Sequence, residues 1–407
     1  MKIRNMILLL FINMLISCTG GNAVTDSTLI SSTISEEETI TPGAERSDEY
    51  LRLLEGKRIG LVVNQSSTVR NEHLVDFLIR NKVDVQKLYA PEHGIRGKED
   101  AGAKIEDGKD VKTGLTITSL YGKKKKPGKE DLAGIDVLIF DIQDVGVRFY
   151  TYISTLHYVM EAAAENDIQV IVLDRPNPNA HYVDGPVLEK EYSSFVGMHP
   201  VPVVYGLTIG EYANMINGEK WLANQISADL IVIPCGNYSH ERKYPLPIKP
   251  SPNLPNYKSV LLYPSLCFFE GTNVSVGRGT NTQFQVIGSP VLKGKKEYKF
   301  TPKSMAGAKF PKHENQACYG DSFVNEREDV LFNNSKLDIR YLLEYYQAYK
   351  LNEEEFFLEN NFFNKLAGNA SLQNAIRSGN TESQIRTSWA SGLKAYNDIR
   401  KKYLLYK

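Results

Sequence analysis

Net charge is absent from this sequence: 48 basic residues balance 48 acidic ones. That balance excludes the cationic surplus on which phosphate-driven nucleic-acid affinity depends, so no nucleic-acid partner is expected. The local exception, Lys123 to Lys126, reads as a solvated loop. Cysteine is scarce. Cys18, Cys235, Cys267 and Cys318 are widely spaced and form no CxxC pair, so neither a disulfide framework nor a zinc site is readable and buried free thiols are expected. Long apolar runs are missing too: beyond Ile16 no segment is apolar for long enough to cross a bilayer as a helix. Several signatures are also lacking. No GxGxxG follows the first strand-like run, so no dinucleotide is implied, and there is no Walker loop, HExxH or GxSxG elbow. No cofactor is expected, and carboxylate chemistry is what the sequence leaves best supported.

The amino-terminal end does carry a pattern. Lys2 and Arg4 precede an apolar stretch from Met6 to Ile16, a charged n-region and an h-region too short to span a membrane. It closes on Leu15-Ile16-Ser17-Cys18, the arrangement of a bacterial lipoprotein signal. Residues 1–17 are therefore expected to be removed, leaving Cys18 to carry lipid and to anchor an exported protein to a bacterial membrane, on its periplasmic or outer-membrane side. Residues 18–47 are rich in Thr, Ser, Gly and Glu. They hold too little apolar surface to offset ordering entropy, so they read as a flexible tether.

The following chain is too long for one ordinary core, and two domains are expected, 48–257 and 258–407. Its first part alternates short apolar runs with amphipathic stretches. Arg58 to Asn64, Val85 to Ala90, Leu115 to Leu120, Asp136 to Asp141 and Gln169 to Asp174 read as strands. Between them, His73 to Arg80 and Tyr150 to Glu165 have helical spacing. Continuous apolar strands separated by helices predict an α/β fold, a Rossmann-like parallel sheet covered on both faces. Thr208 to Asn217 predicts a helix capped by Thr208, and Leu230 to Ile233 a further strand. The proline-rich passage between Tyr244 and Pro264 predicts a shaped, extended loop. Beyond it, mixed strands and helices near Ile339 to Tyr349 and Glu382 to Tyr403 suit a smaller α+β domain.

In an open parallel sheet, ligands bind outside the carboxyl ends of the strands. Three predicted strands here run out into acidic residues. Val85 to Ala90 opens into Pro91-Glu92-His93-Gly94; Asp141 is followed by Gln143, Asp144 and Arg148; Asp174 leads into Arg175-Pro176-Asn177. Asp141 and Asp174 can equally cap loops and pair with Arg148 and Arg175. Glu92 differs from them, because neither helix propensity nor packing asks for glutamate between a proline and a His-Gly pair. Two further stretches read as binding loops. Phe269 to Thr280 combines three glycines with Glu270, Asn273 and Arg278, so its backbone can approach a ligand closely while the arginine grips a carboxylate. Ser251-Pro252-Asn253 offers hydroxyl and amide groups on a stiff backbone, suited to sugar hydroxyls.

Together these segments resemble the DUF1343 family, the NamZ-type exo-β-N-acetylmuramidases. The resemblance rests on Pro91-Glu92-His93-Gly94, Phe140 to Arg148 with Tyr150-Thr151-Tyr152, Leu173 to Pro178, Pro250 to Asn253, and Phe269 to Asn273 with Gly277 to Thr280. It implies a cleft between a Rossmann-like domain and a smaller one. The implied reaction releases N-acetylmuramic acid from the non-reducing end of peptidoglycan fragments, muropeptides or disaccharides. The family's catalytic glutamate falls on Glu92, with Asp144 or Asp141 as the second group. His93, Arg148, Asp174, Arg175, Asn177, Ser251, Asn253, Glu270, Asn273 and Arg278 are the expected substrate contacts. Arg278 or Arg148 would meet the lactyl carboxylate of muramic acid. The chain departs from many relatives at Val276, where they carry glutamate. Two other readings compete: a non-catalytic muropeptide-binding lipoprotein, and a metal-dependent hydrolase using Asp141, Asp144 and His93.

Overall fold

The computed structural model describes residues 39–92, 94–95 and 107–406. The signal segment, Cys18 and His93 lie outside the described residues. The strands, in chain order, are β1 (Arg58–Val63), β2 (Thr68–Val69), β3 (Glu72–His73), β4 (Asp84–Ala90), β5 (Gly108–Lys109), β6 (Thr116–Ser119), β7 (Val137–Asp141), β8 (Gln169–Leu173), β9 (Leu230–Ile233), β10 (Val286–Ser289), β11 (Tyr298–Phe300) and β12 (Cys318–Ser322). Seven of them form one sheet in the order β5-β6-β4-β1-β7-β8-β9. Every pairing in it is parallel except that of β5 with β6. From β1 the chain builds outward through β4 to β6, then returns to the other side of β1 for β7, β8 and β9. The reversal puts the topological switch point between β1 and β7, where an open α/β sheet leaves a crevice.

Both faces of this sheet are covered, as the unbroken apolar runs require. Ile59, Leu61, Val63, Leu88, Ile139 and Ile171 pack into one core. Their neighbours Val62, Tyr89, Leu138, Phe140, Val170 and Val172 pack into the other. That second core continues through Phe268 and Tyr345 to Tyr396, so apolar packing does not stop at residue 257. A smaller antiparallel sheet, β10-β12-β11, and helices Arg340–Lys350 and Glu382–Arg400 follow. Cys235, Cys267 and Cys318 are buried free thiols, and among the described residues no helix is long and apolar enough to cross a membrane.

Two local expectations are corrected. The tether does not extend to Ser47, because the chain is already packed from Thr39 onward. Thr41 exchanges backbone hydrogen bonds of 2.9 and 2.7 Å with Gly236, and Ala44 is fully buried in the core. Gly43 makes the approach possible: a Cβ there would lie 2.3 Å from the Ile233 carbonyl oxygen. The proline-rich passage is not extended throughout either. Asn256 and Ser259 form a reciprocal capping box that starts a helix, Tyr257–Leu266, with Pro264 in its last turns. The cap supplies what the prolines lack, and the missing N–H of Pro264 falls where the helix is about to tighten into a 3-10 turn, Cys267–Gly271.

Candidate active site

Four segments converge at the carboxyl edge of the sheet on a cavity of about 70 Å3. Its lining includes Glu92, Thr151, Ser251, Asn253, Tyr263 and Arg278. Glu92 is half-buried, two residues past the end of β4. The neighbouring strand β6 ends close by, and Tyr121 beyond it donates a 2.9 Å hydrogen bond to Glu92 Oε1. Burial, then the Glu92 carboxylate, push the Tyr121 phenol up, so it remains a donor. From the start of helix Tyr152–Glu165, the Thr151 hydroxyl approaches Glu92 Oε2 at 3.4 Å. The glutamate is thereby held from two sides by groups on separate elements.

The proline-rich loop reaches the site because two donors pin it. Gln65 Nε2 and the Tyr150 hydroxyl donate to the Pro250 carbonyl at 2.9 and 2.8 Å. Asn253 is buried, and its Nδ2 is committed to the Gly307 carbonyl at 2.8 Å. That bond fixes the amide orientation and leaves Oδ1, buried and without a hydrogen-bond partner among the described residues, as an acceptor. A buried acceptor in that state calls for a donor from a ligand or from water.

Arg278 donates from Nε to Glu270 Oε1 at 3.1 Å. Their side chains remain 26% and 24% exposed, and the guanidinium carbon lies 5.2 Å over the Phe284 ring. Burial works against the arginine's charge, but Glu270 more than offsets it, so the guanidinium stays charged. Its two Nη groups make no hydrogen bond among the described residues, leaving a planar fork of donors suited to a carboxylate. The loop beneath is organised by Lys312, whose ammonium donates to the carbonyls of Phe269 and Val274 at 3.1 Å each, and to that of Thr272.

Among the described residues, the other expected site residues are not in this cavity lining. Asp141 forms a buried bidentate pair with Arg175, at 2.5 and 2.9 Å. Burial opposes the charge of Arg175, and Asp141 restores it. Asp144 is buried behind Tyr150 and Tyr152; its Oδ2 accepts from Gly146 N at 2.7 Å and from the Tyr205 hydroxyl. Burial raises its pKa to about 6. Asp174 accepts from Thr208 Oγ1 and Gly210 N at 2.7 Å each, and from the Tyr406 hydroxyl, tying the helix at Ile209 to the chain's end. Asn177 Nδ2 donates to the Leu207 carbonyl at 2.7 Å. Asn273 holds the Glu355 carbonyl through Nδ2 at 2.7 Å.

Arg148 departs most from the expectation of a lactyl contact. It is fully buried, and its Nη groups donate to four backbone carbonyls, those of Pro186, Val201, Leu366 and Ala367, at 2.6 to 2.9 Å. Burial brings its pKa down to about 9. It clamps loops that are far apart in sequence. Val276 is buried in the apolar core, so its side chain does not face the cleft.

A mostly parallel α/β sheet, with a glutamate, a buried amide acceptor and a guanidinium whose Nη groups are unengaged among the described residues gathered at its carboxyl edge, defines an α/β protein of the doubly wound class. The chain belongs to the exo-β-N-acetylmuramidase NamZ family: residues 59–258 match its N-terminal model and residues 261–406 its C-terminal model. It is 39% identical over 376 residues to the peptidoglycan β-N-acetylmuramidase NamZ of Bacillus subtilis strain 168, covering 88% of this chain and 89% of that protein. Two DUF1343 family crystal structures from Bacteroides fragilis NCTC 9343 share its fold. One superposes with a TM-score of 0.84 at 42% identity, over 91% of this chain and 99% of its own. The other superposes with a TM-score of 0.76 at 30% identity, over 90% and 99%.

Proposed function

We propose that this chain is a glycoside hydrolase that releases N-acetylmuramic acid from the non-reducing end of peptidoglycan fragments, with Glu92 as its proton donor. The observation that carries the reading is the joint lining of one cavity by Glu92, Asn253 and Arg278. These three match what the terminal sugar presents. Its lactyl carboxylate is the anion for the Arg278 fork, its acetamido N–H or a ring hydroxyl the donor for Asn253 Oδ1, and its glycosidic oxygen the base that Glu92 must protonate. A space of about 70 Å3 is little more than two waters' share of liquid volume. It takes a substituent of the sugar, with the ring at the mouth.

Cleavage needs the leaving oxygen protonated as its bond to the anomeric carbon breaks. Glu92 delivers that proton. Among the described residues Glu92 is the one carboxylic acid in the cavity lining; Asp141 is paired with Arg175, and Asp144, whose Oδ2 is engaged and whose Oδ1 has no partner among the described residues, is buried outside that lining. This favours the substrate's own 2-acetamido oxygen as the nucleophile. Water then adds to the anomeric carbon, expels the acetamido oxygen and returns a proton to Glu92. Incubation with a chromogenic N-acetylmuraminide tests the reading: chromophore release supports it, and no release from folded protein contradicts it.

The lipoprotein reading of the amino terminus belongs to the same proposal. Anchoring at Cys18 would hold the enzyme outside the cytoplasm, where its substrate is made available, with the membrane contacted through lipid alone. The division into 48–257 and 258–407 is likewise proposed as a catalytic part and a part that completes the cleft with Arg278.

A further inference from the structure

A second cavity, of about 440 Å3, lies on the far side of helix Tyr257–Leu266 and shares no lining residue with the Glu92 cavity. Its volume falls in the range of small-molecule sites. Leu261, Leu266 and Phe323 supply an apolar wall. At its inner end stands Asn179, 1% exposed. The Asn179 Nδ2 donates to the carbonyls of Val145 and Val260 at 2.9 and 3.2 Å, so the amide cannot turn over. Its Oδ1 is left as a buried acceptor with no hydrogen-bond partner among the described residues. His181, two residues on, stacks on Phe332 with ring centroids 3.8 Å apart. Its buried Nδ1 also lacks a partner among the described residues. The imidazole is neutral near pH 7, because burial lowers its pKa to about 4.

The rim adds charge of both signs. Arg340 and Asp338 neutralise each other in a bidentate pair at 2.9 and 2.6 Å. Glu326 and Lys336, both exposed, make no side-chain ion pair among the described residues. The cavity lining thus combines one carboxylate and one ammonium with no ion pair among the described residues, an apolar wall and, at Asn179, a buried amide oxygen with no partner among them. A single ligand class meets all four.

We infer that this cavity binds a short zwitterionic peptide. Its backbone amide would donate to Asn179 Oδ1 and its side chain would rest on Leu261, Leu266 and Phe323. Its ammonium would face Glu326 and its terminal carboxylate Lys336. The inference stands on this cavity alone and does not require Glu92 to be catalytic. A free wall peptide and a peptide still joined through its amino end to muramic acid share the carboxylate and the amides; only the free peptide has the terminal ammonium.

The test is calorimetric titration of the full chain with tri-alanine, N-acetyl-tri-alanine and tri-alanine amide at millimolar concentration. Tri-alanine is expected to bind, and blocking either end to weaken binding about threefold, the scale of an exposed ion pair. Glu326→Gln should remove the sensitivity to acetylation, and Lys336→Met the sensitivity to amidation. Acetylated peptide binding as well as the free form, with the amide still weaker, would point to sugar-linked peptides and overturn the ammonium contact. No binding of tri-alanine, or equal binding of all three forms, would overturn the inference. Glu92→Gln protein should bind tri-alanine like the parent; loss there would place the peptide in the other cavity and also overturn it.

Discussion

At the scale of single residues, what decides a role here is whether a polar group is already satisfied by the protein. Arg148 and Arg278 are both arginines in loops at the cleft side of the sheet, yet the first spends both Nη groups on four carbonyls and the second spends only Nε. Arg278→Ala is therefore expected to weaken muraminide binding by about 1.5–3 kcal/mol, the value of a charged hydrogen bond. N-acetylglucosaminides, which lack the lactyl group, should be spared. Inhibition constants for the two sugars measure it, and equal losses would mean that Arg278 merely shapes its loop. Asp144 makes a different prediction. Burial raises its carboxyl pKa from 3.8 to about 6, so the native state holds its proton more tightly than the unfolded chain does. The resulting stability is fully present below about pH 4 and is lost as pH rises through about 6, a difference of about 3 kcal/mol. Asp144→Asn, which mimics the protonated acid, should flatten the slope of stability against pH in that window. Urea unfolding at several pH values checks this, and an unchanged slope would assign the pH dependence elsewhere. Glu92 stood out in the sequence because neither helix propensity nor packing asks for glutamate there, and Arg278 because its glycine-rich loop lets the backbone approach a ligand; both line one cavity. The pairing of Asp141 with Arg175 was among the readings the sequence offered; the ties of Asp144 to Tyr205, of Asp174 to Tyr406 and of Arg148 to the carbonyls of Leu366 and Ala367 were not legible, since those partners lie far along the chain.

At the scale of elements, apolar periodicity carried most of the fold. Each predicted strand of the large sheet, from Arg58 to Ile233, lies within about a residue of its observed bounds. The helix after Thr208 begins with the reciprocal Thr208–Glu211 capping box. What the pattern concealed was local chemistry: the Asn256 cap that turns a proline-rich passage helical, and Gly43, which lets the first described turn settle on the sheet edge. Tyr121 was within reach, because the rule that sites lie past strand ends applies to β6 as well as to β4. Lys312 was not, for nothing in its neighbourhood signals that it serves the carbonyls of Phe269, Thr272 and Val274. Removing it should loosen the element that presents Arg278. Lys312→Met is expected to cost about 1.5–3 kcal/mol of stability, again on the scale of charged hydrogen bonds. It should raise KM for muraminides more than it lowers kcat. Thermal unfolding with steady-state kinetics measures both, and a stable variant with unchanged KM would show that the loop holds its shape unaided.

At the scale of the whole molecule, the proposed lipid anchor at Cys18 would tether the cleft at the switch point of the sheet to a membrane. Attachment through Cys18 predicts that Cys18→Ser yields protein that is unlipidated or retains its leader. Detergent partitioning and labelling with a lipid precursor read this out, and lipidation unchanged in the variant would remove the anchor from the account.

The central claim is that Glu92 gives its proton to the leaving oxygen, and steady-state kinetics of Glu92→Gln test it most directly. The amide keeps the size of the side chain and can still pair with Tyr121, but it has no proton to deliver. General acid catalysis contributes about 10²–10⁴-fold. Turnover of a natural disaccharide should fall by at least that factor while the protein stays folded and muropeptide affinity stays near the parent's. An activated aryl muraminide, whose leaving group needs little protonation, should lose much less. Near-normal turnover of the natural disaccharide by folded Glu92→Gln protein would contradict the claim and pass the role to another carboxyl group.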